Sequence, residues 1–194
     1  MLGLVILLVV VAVLAFWVIG IYNGLIRARR GYENAFAQID VQLTRRYDLI
    51  PNLVETAKAY MKHESQTLEA VIAARNSAMN GLKAAQAHPG DASAMQALAA
   101  SEGQLTGALG RLMAVAEAYP DLKANQNFLA LQEELTATEG RVAYARQFYN
   151  DSVLGYNNKL QVFPAVIIAG MFHFEKREFF EAEEAAREVP KVQF

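Results

Sequence analysis

"NQNFLALQEELTATEGRVAYARQFYNDSVLGYNNKLQVF", residues 125–163, contains no proline, and Phe128, Leu135, Val142, Tyr149, Tyr156 and Phe163 recur in it every seven positions. Seven residues are close to two helical turns, so these side chains share one stripe, the pattern of bundle or coiled-coil packing. The alternate positions Leu131, Thr138, Ala145, Ser152 and Lys159 become more polar toward the C-terminal end. That end is expected to pack less tightly or to meet something polar. Within it Tyr149-Asn150 and Tyr156-Asn157 repeat one heptad apart. Tyrosines on a seam place rings inside and hydroxyls at its edge, and a polar residue at a helix interface can fix register. The two Tyr-Asn pairs are thus either register devices or a candidate partner surface.

Upstream, a third helix is expected from about Ala92 to Ala118, with Leu98, Leu105, Leu109 and Leu112 on one face, bounded by "HPGD" and "AYPD". Before it, Leu53, Ala57, Leu68, Val71, Ala78 and Leu82 keep helical steps, as do Tyr32, Phe36, Ile39 and Leu43. Between these two series lies "DVQLTRRYDLIPNLVETAK", residues 40–58. Proline disfavours helical dihedrals in the residue before it and suits a first turn, where its missing N–H is not needed. The expectation is a corner at Ile50-Pro51. Arg45 and Arg46 would complement the negative end of one helix, and Asp48 the positive start of the next. Arg45, Arg46, Asp48 and Asn52 are retained as a candidate partner surface.

From Leu2 to Ile26 no charged residue occurs, and at 1.5 Å per residue this stretch can cross about 30 Å of hydrocarbon. It lacks the basic start, short apolar run and small-residue cleavage site of a signal peptide. It reads as a retained anchor, residues 1–26, with Leu2, Trp17 and Ile26 along its length. Arg27, Arg29 and Arg30 follow it, while only Met1 precedes it. The positive-inside rule then places the N-terminus outside and the body in the cytoplasm. No break separates anchor and body, so one helix is expected to run through both. The fold class is all-α, an antiparallel bundle of four long helices over residues 27–163, the first continuous with the transmembrane helix. Residues 164–194 form a short apolar segment and an acidic tail with six Glu between Glu175 and Glu188. The apolar run near Phe163–Phe172 is too short to span a bilayer; it could cap the core, lie at a membrane surface or join subunits. Phe172, Phe179, Phe180 and Phe194 are candidate subunit contacts.

Composition narrows the function. A net charge of −2 lacks the basic footprint of a nucleic-acid binder, and a chain without cysteine has no disulfide, thiolate metal site or cysteine nucleophile. His63, His88 and His173 stand in no ligand spacing, and "KHES" is not HExxH. "GQLTG", residues 103–107, matches GxxxG, for which close helix approach is the plain account in a polar segment. No catalytic residue, metal or cofactor is assigned.

The stretches "IDVQLTRRYDLIPNLVETAK", "ARQFYNDSVLGYN", "FPAVIIAG" and "FFEAEEAAREVPKVQF" resemble the LemA family, in the expected order and over nearly the whole chain. The resemblance implies a bacterial membrane protein with an antiparallel helical bundle and supplies no agreed catalytic residue. A related branch is associated with organising internal membranes in magnetotactic bacteria, which implies an envelope-organising role. The function expected is a non-enzymatic scaffold of the bacterial cytoplasmic membrane. It would be anchored in lipid by its N-terminal helix and self-assemble as a homo-oligomer, with other membrane proteins as further partners. The alternative is a membrane-bound enzyme or accessory subunit using the Arg45/Arg46/Asp48/Asn52 corner or the Tyr149-Asn150/Tyr156-Asn157 end.

Overall fold

The computed structural model describes residues 1–181; Phe194 and the end of the acidic tail lie outside the described residues. Among the described residues there is no strand. The helices are α1 (Leu2–Lys58), α2 (Ser65–Ala87), α3 (Ala92–Ala116), α4 (Pro120–Lys123), α5 (Gln126–Gln161) and α6 (Ala165–Met171). The apolar N-terminal segment and the first helix of the body are a single α-helix, and the first half of its apolar run is exposed and packs against none of the described residues. From Leu25 onward one face is buried, through Tyr32, Phe36, Ile39, Leu43, Tyr47, Ile50 and Leu53.

α1 pairs chiefly with α5, and α2 with α3 and α1. α5 runs antiparallel to α1: Tyr32 meets Tyr156 with ring centroids 5.0 Å apart, Phe36 meets Tyr149 at 5.7 Å, and Arg45 pairs with Glu134 at 2.6 Å. α2 is also antiparallel to α1, joined by Gln86 to Asp40 at one end and Arg75 to Tyr47 at the other. Two starts follow the side-chain rule for helix caps. Asp91 accepts the Ala94 N–H at 3.0 Å before α3, and Asn125 accepts the Phe128 N–H at 3.0 Å before α5.

The expected corner at Pro51 is overturned. Pro51 lies inside α1, which continues to Lys58, and the chain turns instead over residues 59–64. A proline in a helix deprives the carbonyl four residues earlier of its donor. Here that carbonyl belongs to Tyr47, and it accepts the Arg75 Nε–H from α2 at 2.7 Å. The tertiary contact thus replaces the missing helical bond. This predicts a coupled pair. Arg75→Leu should destabilise the chain by about 1–3 kcal/mol, because a shielded carbonyl loses its donor. In a Pro51→Ala background the restored N–H refills that carbonyl, and the same change should cost about 1 kcal/mol less. Urea denaturation of the four variants measures the coupling, and strict additivity would refute it.

Two further expectations need correction. Phe163 lies past the end of α5 and is 78% exposed, whereas Phe128, Leu135, Val142, Tyr149 and Tyr156 are buried. A straight helix drifts about 20° per heptad against a 3.5 repeat. By the last turns the buried stripe has moved to Val153, Tyr156, Asn157 and Leu160. In the GxxxG of α3, Gly107 likewise makes no close approach, since it has open space where a Cβ would stand. A tight crossing lies at Gly81 of α2, where a Cβ would fall 2.6 Å from Ser101 Oγ and 3.3 Å from Leu98 Cα.

Candidate functional site

The structure separates the residues expected to form one charged cluster. Arg45, Asp48 and Asn52 lie on the outer face of α1, whereas Arg46, one residue on from Arg45, points inward and is only 4% exposed. Since α1 continues for twelve residues beyond Arg46, neither arginine serves a helix end there. Arg46 is a hub instead. Nη1 donates to Glu102 of α3 at 2.9 Å, and Nη2 donates to Thr106 of α3 at 3.1 Å and Glu139 of α5 at 3.0 Å. The other oxygen of Glu102 accepts a hydrogen bond from the Tyr47 hydroxyl. One buried carboxylate therefore receives two donors from neighbouring residues of α1, and the guanidinium ties three helices together. Sequence reasoning missed Glu102, Thr106 and Glu139, because nothing in a helical period marks a polar partner 56 to 93 residues away.

The Tyr-Asn repeat of α5 forms a second arrangement, to which residues 174–181, free of helix and strand, are bound. Asn157 donates to the Arg177 carbonyl at 2.8 Å and accepts the Arg177 N–H at 2.9 Å. Asn150 does the same to Phe180, donating at 3.2 Å and accepting at 2.8 Å. Each side-chain amide exchanges both bonds with one residue, as a hydrogen-bonded pair of antiparallel strands does. The spacing explains the fit. Seven helical residues advance about 10.5 Å, and three residues of extended chain about 10 Å. Between these two contacts Tyr149 donates its hydroxyl to the Glu178 carbonyl at 2.9 Å, and the Glu178 N–H donates to the Gly90 carbonyl at 3.0 Å. Gly90, with φ of 81°, is the glycine of "HPGD"; a Cβ there would press on the Arg177 side chain at 2.9 Å. The Phe180 ring is buried, with the Arg146 guanidinium 5.5 Å from its centroid, and Phe179 is half-buried. The two asparagines thus read main chain, and what they hold is the chain's own C-terminal strap.

Four tyrosines line the seam and hub: Tyr32, Tyr47, Tyr149 and Tyr156. Burial pushes each phenol above its ordinary range, and for Tyr47 the charge of Glu102 adds to the rise. A group whose folded pKa is raised stabilises the fold below its unfolded pKa, about 10 for tyrosine, and loses that contribution as pH climbs toward the folded value. Stability should therefore fall between about pH 9 and pH 11. The urea midpoint, with phenolate absorbance followed in parallel, checks this; an unchanged midpoint across that range would contradict it.

The remaining expected residues are exposed or engaged locally. Trp17 is exposed along the apolar span, Arg29 and Arg30 both reach Glu33, and Phe172 leans on Tyr22 with ring centroids 4.8 Å apart. His63, His88 and His173 are exposed and distant in sequence, and no cluster of metal-ligating side chains occurs among the described residues.

The model of the LemA family matches residues 35–194, so both the Arg46 hub and the strap with its asparagines fall within the match. The chain belongs to the LemA family. Among curated relatives, Magnetosome protein MamQ 1 of Paramagnetospirillum magneticum and Magnetosome protein MamQ of Magnetospirillum gryphiswaldense are each 32% identical to it over 103 residues. That alignment covers 53% of this LemA-family chain and 38% of either relative, so the chain spans under half the length of the MamQ proteins. Protein LemA of Metamycoplasma hominis is 23% identical over 177 residues, 91% of this chain and 76% of that protein.

Proposed function

We propose that this LemA-family chain is a non-enzymatic scaffold, anchored by its N-terminal helix in the bacterial cytoplasmic membrane. It carries an antiparallel four-helix bundle on the cytoplasmic side that assembles with other copies and with other membrane proteins. One observation carries the reading: a single helix runs from a bare apolar segment into the packed core of the body. An unbroken helix couples anchor to body as a rigid stalk, so the outer surface stands at a fixed height over the bilayer. At 1.5 Å per residue, Pro51 is about 44 Å beyond Tyr22. Confinement to a plane raises effective concentration and makes weak lateral contacts productive. The relatives named as magnetosome proteins fit a role in a membrane compartment. The enzyme alternative loses support at both its locations, because Arg46 is spent on a buried carboxylate and the two asparagines on the chain's own backbone.

Two measurements test the reading. Full-length protein in mild detergent should have a multimeric mass by light scattering across a range of concentrations; a monomeric mass throughout removes self-assembly. A cysteine-free chain permits a clean topology assay with Tyr144→Cys. An impermeant maleimide should label that position only after cells are opened, and labelling of intact cells removes the cytoplasmic assignment.

A further inference from the structure

We infer that α6 is a membrane foot: its outer face, with the turns flanking it, enters the lipid headgroup and acyl boundary beside the exit of α1. The inference rests on the reading of the N-terminal helix as a membrane span. No charged residue occurs from 160 to 172. The helix is two-faced although apolar all round. Ile168 and Ala169 are buried, in an element that packs on both α1 and α5. Val162, Phe163, Val166, Ile167, Met171 and Phe172 are exposed. In water such a contiguous patch is costly and marks an interaction surface.

The height of α6 identifies what covers that patch. Phe172 and Phe174 both pack on Tyr22, with ring centroids 4.8 Å and 5.7 Å away. Tyr22 stands five residues, about 7.5 Å, on the apolar side of Arg27, the first charge after the span. Val18 and Ile21, deeper in the span, are partly covered by the core, so folded chain reaches the last turns of the apolar run. The 21 residues from Leu2 to Tyr22 measure about 31 Å, the thickness of a hydrocarbon core. The exposed face of α6 thus continues the exposed surface of the span at a depth of about 5–10 Å, where surface-lying apolar helices reside. Charges resume on either side, at Lys159 before it and at Glu175 and Lys176 after it. The occupant is the hydrocarbon boundary of the lipid rather than an anionic headgroup, since the patch itself carries no cation. Such a foot braces the stalk with a second membrane contact and restricts rotation of the body about α1.

The absence of cysteine makes the test direct. Full-length Val9→Cys, Tyr144→Cys and Ile167→Cys, each carrying a nitroxide, are placed in neutral phosphatidylcholine vesicles. Their collisions with oxygen, which concentrates in lipid, and with a water-soluble nickel chelate are then compared. The oxygen-to-nickel ratio at 167 should lie well above that at 144 and below that at 9. A ratio at 167 equal to that at 144, with a lipid signature at 9, overturns the foot and leaves the anchor standing. An aqueous signature at 9 overturns the anchor and the foot with it. Spin–spin broadening at 167 that vanishes on dilution with unlabelled protein would assign the face to a second copy and overturn the lipid assignment.

Discussion

Arg46→Met should destabilise the full-length protein by about 3–5 kcal/mol, the range for removing one partner of a buried ion pair. The loss arises because Glu102, 8% exposed, would keep its charge in the core with Tyr47 as its remaining donor in the hub. For a protein of this size the drop corresponds to about 6–20 °C in the melting temperature. Methionine keeps the apolar length of the side chain, so packing is largely conserved and the charge is what changes. Two companions make the result decisive. Arg45→Met, next in sequence, removes only a half-exposed partner of Glu134 and should cost about 1 kcal/mol or less. Arg46→Met combined with Glu102→Leu should recover much of the loss, because neither partner is then stranded. Equal effects at positions 45 and 46 would show that the hub is not built as described.

The same pair of residues shows what the sequence made legible and where it stopped. The seven-residue series from Phe128 to Tyr156, the turn at "HPGD" and the uncharged run up to Ile26 are local signals, and the structure places helices, and the break between α2 and α3, where they fall. Periodicity reports only which face is buried. It identified no hub at Arg46, since adjacent arginines on a helix differ by about 100° in direction and the polar partner that decides between them is remote in sequence. Pro51 misled for a related reason. The rule that proline ends a helix assumes an unanswered carbonyl, and Arg75 answers it from another helix. The true turn, residues 59–64, contains neither proline nor glycine and sent no signal. The Tyr-Asn repeat was visible as a pattern, but its ligand is the main chain of residues 177–180, which any sequence can present.

That indifference to side chains makes the strap separable from the rest of the fold. Asn150→Ala with Asn157→Ala removes four hydrogen bonds between α5 and the strap. At about 0.5–1.5 kcal/mol each, the loss is about 2–6 kcal/mol in the free energy of local opening. With each 1.4 kcal/mol worth a factor of ten, amide exchange at Arg177 and Phe180 should accelerate about 30-fold or more. Trypsin should cut after Lys176 and Arg177 correspondingly sooner. The helices should hold, because α1 and α5 remain joined through Tyr32 with Tyr156 and Phe36 with Tyr149. Exchange of amides in the middle of α5 should therefore change far less than exchange in the strap. Asn157→Asp separates the two halves of one contact: it keeps the acceptor for the Arg177 N–H and sets a carboxylate against the Arg177 carbonyl. It should fall between wild type and the alanine change. Asn158→Ala, one residue along and exposed, should leave the strap in place. If exchange at Arg177 and Phe180 is as slow in the double variant as in the wild type, the asparagines do not hold the strap, and burial of Phe180 must do so instead.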